Sequence, residues 1–472
     1  MPLIVWVAFA LPTALLAAML ALTPLGLWQM DEYFTISTFG AQGLPSLWQR
    51  ILIWSPRPVS ELLLFGYATV VTRTGLQLTG IFLAALWIGL FAACMLPAAW
   101  TVRRRRTSRR LPFLLSLTVL TLLVVGHPIS EVFYWPQGAG AYLPTIALIA
   151  APVLGMVFSE RWSLKRDALT CICFSLAALA SEVGAFFALA WGGTALGVAL
   201  AQRWISRSSP LLRRNDVLLA LPALAGLGVV YLLANARFAN EAELVNSEVA
   251  RRVGASLWST LTSFPADVLA ADFVAPTTVG LLLGIIGKSA LLVLSILVFQ
   301  RYRAALPELR LRVASVAVTA LVAALFSLFA GFFQFGVHCC QRHQTFRSQL
   351  VVLAIVAGGW LLARSRVSGW LRSGPQSLIA TASIVAVVAS GAQTAVAVAT
   401  DLAHYPQILQ ARKENWREGV SADTEMTYRL AHGGDAIGHV FVPTGTFLDG
   451  DQTPREILAM MRYFRKTRAV IE

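Results

Sequence analysis

The feature that most constrains this chain is a series of apolar stretches, each close to the length of a membrane-spanning helix. A helix that crosses a bilayer needs about 20 predominantly apolar residues. Only 13% of the 472 residues are charged, against about a quarter in soluble proteins. The sequence therefore predicts an all-α polytopic membrane protein with about 11 transmembrane helices, near 3–27, 77–101, 111–126, 141–159, 167–181, 184–201, 216–235, 276–299, 313–333, 348–363 and 376–398.

The composition excludes several other classes of protein. A chain with 57% hydrophobic residues cannot be a cytosolic enzyme or a disordered chain. Its five cysteines are too few for a secreted disulfide scaffold, and none are spaced as CxxC, the usual zinc-binding pair. The net charge of +14 is better explained by membrane topology than by nucleic-acid binding, because basic residues beside membrane spans set the orientation of the chain.

The basic residues between the apolar stretches indicate how the chain is threaded. Lysine and arginine concentrate in cytoplasmic loops. If the segment Val59–Thr72 lies along the outer membrane surface instead of crossing it, five loops on one side hold 20 basic residues and four on the other hold 8. This distribution predicts a cytoplasmic N-terminus, an extracytoplasmic C-terminus, and interfacial helices in the first outer loop, 28–75.

Two regions follow from this threading. Residues 1–398 are predicted to form the transmembrane domain, and residues 399–472 an extracytoplasmic tail. In the tail, Gly438–Pro443 is typical of a short strand and Thr453–Arg468 of an amphipathic helix. We expect a small α/β tail that packs on the outer loops.

Several outer-face residues are candidates for chemistry. Asp31 and Glu32 follow the first span, where adjacent carboxylates indicate either a general base or a solvated helix start. Arg57 lies between two prolines, which restrict its backbone, so it is either a fixed anion-binding fork or an ordinary interfacial anchor. A second group combines an acid and an amide with aromatic faces, which suit a sugar: Glu131, Trp135, Gln137 and Tyr142. Glu182 is an acid in an apolar hairpin. A last group could hold a phosphate or snorkel to lipid headgroups: Arg342, His343 and Arg347.

In the order of its features, the part of the chain from 1 to 350 resembles the GT-C superfamily of membrane glycosyltransferases, which use polyprenyl-phosphate sugars. One span is followed by an acidic outer loop, an Arg-Pro helix at the membrane surface, and a second span that ends in an arginine cluster. Glu131–Tyr142 matches the acid-aromatic-Trp-x-x-Gly-x-x-x-Tyr motif of bacterial glucosyltransferase-like multi-pass proteins. Ser181–Gly184 matches their polar-Glu-x-Gly motif.

The resemblance implies a GT-C-like enzyme of the bacterial inner membrane that transfers a hexose or pentose, with inversion, on the outer face. The donor would be a polyprenyl-phosphate sugar and the acceptor a glycan, lipid or protein. Asp31 would be the catalytic base, with Glu32 as the alternative. Some members of the superfamily need a divalent cation and others do not, so the cofactor stays open. The lipid phosphate would be held by Arg57, Arg342 and Arg347 with His343, and the sugar site would be lined by Glu131, Trp135, Gln137 and Tyr142 and braced by Glu182.

Three other functions stay open at this point. A transporter or flippase of lipid-linked glycans would need polar residues within its spans, where Lys288 is the one basic residue. A polysaccharide polymerase or ligase would usually carry a large late outer loop, and 334–347 is short. A purely structural membrane subunit would not concentrate acidic residues on one side.

Overall fold

A computed structural model gives the fold of the chain. The structure describes residues 3–104, 110–125, 129–159, 163–206, 218–237, 248–271, 277–300, 307–338, 341–363, 365, 368–372, 375–430, 436–438 and 442–472. Helices dominate these residues because a chain in lipid must satisfy its backbone hydrogen bonds internally. The helices are α1 (Leu3–Ala21), α2 (Met30–Gln42), α3 (Leu44–Gln49), α4 (Pro58–Thr74), α5 (Thr79–Arg104), α6 (Arg110–Val124), α7 (Pro136–Val157), α8 (Leu164–Ala178), α9 (Glu182–Ser206), α10 (Pro222–Arg237), α11 (Val253–Leu269), α12 (Thr278–Phe299), α13 (Pro307–Phe335), α14 (Gln341–Leu362), α15 (Ser368–Arg372), α16 (Gln376–Ser390), α17 (Ala392–Ala403), α18 (Tyr405–Val420) and α19 (Arg455–Phe464).

The chain is a multi-pass membrane protein. Within the described part, seven helices are each long and apolar enough to cross a membrane. Two bent pairs, α1 with α2 and α16 with α17, raise the number to nine if each pair counts as one span. Helices occupy all eleven predicted stretches, but α6 and α8 have only 15 residues each. The count of about eleven spans therefore stays a prediction.

Helices α7 and α14 lie at the centre of the bundle. In their most apolar windows, 72% of α7 and 78% of α14 are buried, against 28% of α5. The side-chain amide of Gln349 in α14 donates to the carbonyl oxygen of Leu123 in α6 at 2.7 Å, which ties the central helix to its neighbour. Tyr142 and Arg342 lie in the N-terminal parts of these two helices, and the candidate site described below is built at this end of the bundle.

The first loop folds into short helices instead of a span. Glycines with positive φ angles, Gly43 (63°) and Gly75 (68°), end α2 and α4. Helix α4 is not one of the candidate spans. Its residue Glu61 forms a buried ion pair with Arg50 at 2.9 Å. This ion pair holds the short π-helix Arg50–Trp54 against α4, and so it also fixes residues 55–57, which connect the two.

The C-terminal residues pack on this loop. Strands β1 (Glu425–Tyr428), β2 (Gly445–Leu448) and β3 (Arg468–Ile471) form a sheet in the order β1-β3-β2, with β1 parallel and β2 antiparallel to β3. Helix α19 occupies most of the predicted amphipathic helix, whereas residues 439–441 of the predicted strand lie outside the described residues. Side chains of the sheet and of α19 share one apolar core with α2, α3 and α4. The loop and the C-terminal residues thus form one unit, whose position outside the cell stays a prediction.

Aromatic rings join the two parts of this unit. The ring of Trp28 lies 5.2 Å from that of Trp416 and 5.5 Å from that of Tyr463, in edge-to-face geometry. The indole of Trp28 donates to the Tyr67 hydroxyl at 2.9 Å, and the indole of Trp416 donates to the Gly75 carbonyl at 2.9 Å. These contacts hold the start of α2, which carries Asp31 and Glu32.

Candidate functional site

Arg57 is fixed by the short segment that contains it. Its backbone N–H donates to the Ser55 carbonyl at 2.7 Å, and its side-chain Nε donates to the Ser55 hydroxyl at 2.8 Å. Pro58 starts α4, where a proline costs no hydrogen bond, and the N–H of Val59 donates to the Leu179 carbonyl at 2.9 Å. The last bond brings Arg57 to the turn between α8 and α9.

Glu182 meets Arg57 at this turn. One terminal nitrogen of Arg57 lies 3.6 Å from a carboxylate oxygen of Glu182, and both side chains are at least 86% buried. Burial alone would lower the pKa of Arg57, but the charge of Glu182, followed by Tyr142, Glu61 and Asp31, raises it above the ordinary value. The terminal nitrogens of Arg57 make no hydrogen bond to a described residue, so they can still bind an anion.

Close packing explains the glycines of both motifs. A Cβ added to Gly138 would lie 1.9 Å from the Glu131 carbonyl oxygen, and one added to Gly184 would lie 2.0 Å from the Ala177 carbonyl oxygen. Only glycine allows the backbones to approach this closely. The two glycines therefore position Glu131 and Glu182 through the backbone.

Arg342 reaches the site from the first turn of α14. Its guanidinium donates to a carboxylate oxygen of Glu131 at 3.0 Å, and about 30% of each side chain is exposed. The same guanidinium lies 5.5 Å from the centre of the Trp135 ring, within the range of a cation–π interaction. Arg342 thus contacts both the acid Glu131 and the aromatic face of Trp135, the pair of groups that the sequence predicts for a sugar site.

Tyr142 lies near both arginines. It interacts electrostatically with Arg57 and with Arg342, and so does Glu182. The Tyr142 hydroxyl is buried beside the Arg342 guanidinium. Its ring lies 6.0 Å from the ring of His343, which brings that predicted residue to the edge of the site.

Glu32 is a structural anchor. One of its carboxylate oxygens accepts hydrogen bonds from the Gln29 N–H at 2.8 Å and the Trp135 indole at 2.7 Å, and the other accepts from the Gln137 N–H at 2.8 Å. The residue has no exposed surface, so it is not placed to meet an acceptor. The predicted alternative role as a base therefore does not fit the position of Glu32.

Asp31 differs from its neighbour. It lies one residue earlier in the first turn of α2 and is partly exposed. Its charge acts on Arg57, and no described residue donates a hydrogen bond to its carboxylate. Asp31 thus has what Glu32 lacks, an accessible carboxylate near Arg57.

Arg347 lies outside this cluster, contrary to the prediction that it helps to hold the phosphate. Two of its nitrogens donate to the carboxylate of Asp267 at 2.5 and 2.7 Å, and both side chains are 1% exposed. His338 contacts the same carboxylate. Burial alone would raise the pKa of Asp267, but Arg347 and His338 hold it below the ordinary value. The fork of Arg347 is therefore occupied by a partner within the protein.

The arrangement as a whole joins two guanidiniums, three carboxylates and aromatic faces from five separate segments of the chain. Known proteins give no guide to it. No protein family, curated protein or solved structure matches the chain. Within the described residues, no three His, Cys, Asp or Glu side chains are grouped so that they could hold a metal ion.

Three supporting features of the site could not be identified from the sequence: Ser55, the pair Arg50–Glu61, and the partnership of Asp267 with Arg347. Ser55 fixes the Arg57 side chain, and the pair Arg50–Glu61 fixes the turn before it. The run Ser55–Pro58 already contained Ser55 two residues before the arginine, a spacing at which a hydroxyl can reach a neighbouring side chain. The partnership of Asp267 with Arg347 had no local signal, because 80 residues separate the two.

Proposed function

We propose that the protein is a GT-C-like glycosyltransferase that moves a sugar from a polyprenyl-phosphate donor to an acceptor on the outer face of the bacterial inner membrane. The observation that carries the proposal is that Arg57 and Arg342 lie close enough to interact electrostatically, with the partly exposed carboxylate of Asp31 near Arg57. A phosphate needs cationic donors, and arginine forks suit its oxygens. A sugar needs an aromatic face and an acid or amide, which Trp135 and Glu131 supply.

In the proposed reaction, the acceptor hydroxyl oxygen attacks the anomeric carbon of the donor sugar. The bond from that carbon to the phosphate oxygen breaks, and the electron pair leaves with the lipid phosphate. The hydroxyl proton passes to Asp31 as the general base. Arg57 and Arg342 stabilise the negative charge that grows on the leaving phosphate.

The orientation of the chain belongs to the same proposal. The distribution of basic residues supports a cytoplasmic N-terminus and a first loop, with Asp31 and Arg57, on the outer side. A transfer on the outer face uses a lipid-linked sugar instead of a nucleotide sugar, so the lipid phosphate is the leaving group. In this orientation the C-terminal residues cover the outer side of α2 and the turn that precedes α2.

The proposal is tested by incubating the purified protein in detergent with radiolabelled polyprenyl-phosphate sugars and following the release of polyprenyl phosphate. The native protein should consume at least one donor, and Arg57→Ala should consume it about 10 to 100 times more slowly, because a lost charge-assisted contact costs about 1.5–3 kcal/mol. Arg73→Ala is the matched control, since Arg73 is exposed in the last turn of α4. A donor that stays intact but crosses liposome membranes would instead identify a transporter.

A further inference from the structure

The C-terminal residues contact the transmembrane bundle as well as the first loop. The sheet and α19 pack on the loop, whereas Ala436 and Ile437 belong to the apolar core of the bundle and are at most 1% exposed. These two residues form a turn, which Gly438 follows; residues 436–438 are called the C-terminal turn below. The backbone of a turn this deeply buried needs partners within the protein.

Asp401 in α17 holds the C-terminal turn. Its carboxylate accepts a hydrogen bond from the Ile437 N–H at 3.0 Å, and the residue has no exposed surface. A hydrogen bond to an ionised group is shorter and stronger than one between neutral groups. Asp401 also interacts electrostatically with Tyr134, so it lies near the segment that carries Glu131.

Gly438 contacts the same segment. A Cβ added to Gly438 would lie 2.9 Å from the Cβ and 3.4 Å from the hydroxyl oxygen of Ser130. Ser130 is the first residue of the short π-helix Ser130–Tyr134, and its carbonyl accepts a hydrogen bond from the Trp135 N–H at 3.1 Å. The C-terminal turn therefore packs against the helix that carries Glu131 and leads into Trp135.

This contact leaves little room for movement. Ordinary contacts of a Cβ begin at 3.4 Å, so a methyl group on Gly438, at 2.9 Å, would have to push Ser130 away by about 0.5 Å. Side chains that bind a substrate must be held within about 0.5 Å of their working positions. The turn is itself held in place, because Ile437 is buried in the core and bonded to Asp401. A displacement at Gly438 therefore reaches Glu131.

We propose that the C-terminal turn completes the sugar site: Asp401 and Gly438 are positioning residues that fix the π-helix Ser130–Tyr134 and thereby the place of Glu131. The effect on the donor sugar rests on the proposed function, whereas the positioning of the helix does not. Because Glu131 would contact the sugar both before and during transfer, the C-terminal turn sets the affinity for the donor and not the rate of the chemical step.

The first test measures donor consumption by the purified full-length Gly438→Ala protein, with the polyprenyl-phosphate sugar that the native protein consumes. The KM for the donor should rise about fivefold or more, as expected for a lost hydrogen bond to the sugar, while kcat stays within about twofold. Asp401→Asn keeps the shape of the side chain but weakens the bond to the Ile437 N–H, so it should raise KM in the same direction without adding bulk. Gly445→Ala is the matched control: Gly438 and Gly445 both have positive φ angles, of 79° and 138°, but a Cβ on Gly445 would make only ordinary contact with Phe447 at 3.7 Å.

A second substitution separates contact from backbone strain. In the double variant Gly438→Ala/Ser130→Gly, the new methyl group faces the space that the Ser130 side chain has left, so the KM should return towards the native value. A loss caused by strain at residue 438 alone would persist in the double variant. Hydrogen–deuterium exchange of the peptide 129–137, measured without donor, should be faster in Gly438→Ala and close to native in the double variant and in Gly445→Ala.

Three results would overturn the inference. A native KM in Asp401→Asn and in a folded Gly438→Ala protein would show that the C-terminal turn does not position the sugar site. The same rise in KM in Gly445→Ala would show general destabilisation of the C-terminal residues, and a double variant as impaired as Gly438→Ala would show strain alone. Faster exchange in Gly438→Ala that Ser130→Gly relieves, in a chain whose native form consumes no sugar donor, would instead keep the positioning and refute the proposed glycosyl transfer.

Discussion

Replacing Glu32 by glutamine should destabilise the protein, whereas replacing Asp31 by asparagine should not. The carboxylate of Glu32 accepts three N–H hydrogen bonds, from Gln29, Trp135 and Gln137, with no exposed surface. A glutamine keeps one oxygen, which can still accept from two of the donors. Its NH₂ group then faces the third donor, the backbone N–H of Gln137.

The magnitude follows from these bonds. A hydrogen bond contributes about 0.5–1.5 kcal/mol between neutral groups and about 1.5–3 kcal/mol to a charged group, and a buried donor without a partner costs about 1–3 kcal/mol. Glu32→Gln should therefore lower the free energy of unfolding by about 2–5 kcal/mol. Asp31→Asn changes a partly exposed side chain that holds no such network, so its effect should stay within about 0.5 kcal/mol.

Thermal unfolding of the purified variants in detergent, followed by tryptophan fluorescence, measures this difference. Glu32→Gln should unfold at a clearly lower temperature than the native protein, and Asp31→Asn at the same temperature. A Glu32→Gln protein as stable as the native one would refute the anchoring role and return Glu32 to the list of candidate bases.

Three further predictions concern the surrounding residues. Arg342→Ala should slow donor consumption about 10- to 100-fold, and Arg342→Lys should restore only part of it, because lysine lacks the planar fork that meets a phosphate. Arg347→Ala should destabilise the protein by about 3–5 kcal/mol, because it leaves Asp267 buried without its arginine; thermal unfolding that matches the native protein would contradict this. Gly184→Ala should also lower the unfolding temperature, since its methyl group would meet the Ala177 carbonyl, and an unchanged temperature would show that the helices can move apart.

Much of the helical framework could be predicted from the sequence, because lipid leaves an apolar stretch few alternatives to a helix. The motifs that contain Gly138 and Gly184 could also be recognised from the sequence, and in the structure each of these glycines lies where two backbones come close. The pattern could not say which of two adjacent acids faces the site. Side chains of neighbouring helical residues point about 100° apart, and only the packing of α2 decides that Glu32 turns inward.

The same geometry explains the error over Arg347. Arg342 and Arg347 lie five residues apart on α14, so their directions differ by about 140° around the helix axis. One side chain meets Glu131 and the other meets Asp267. The pairing of β2 and β3, each four residues long, could likewise not be predicted from the sequence pattern, because it depends on contacts between distant parts of the chain.

The most direct test of the proposed chemistry is the rate at which purified Asp31→Asn releases polyprenyl phosphate from a donor that the native protein consumes. Asparagine keeps the shape of the side chain but cannot accept a proton at neutral pH. The rate should fall about 100-fold or more, the usual size of a general-base contribution, while the donor still binds and the protein unfolds at its native temperature. A folded Asp31→Asn protein with near-native turnover would contradict the assignment of Asp31 as the base.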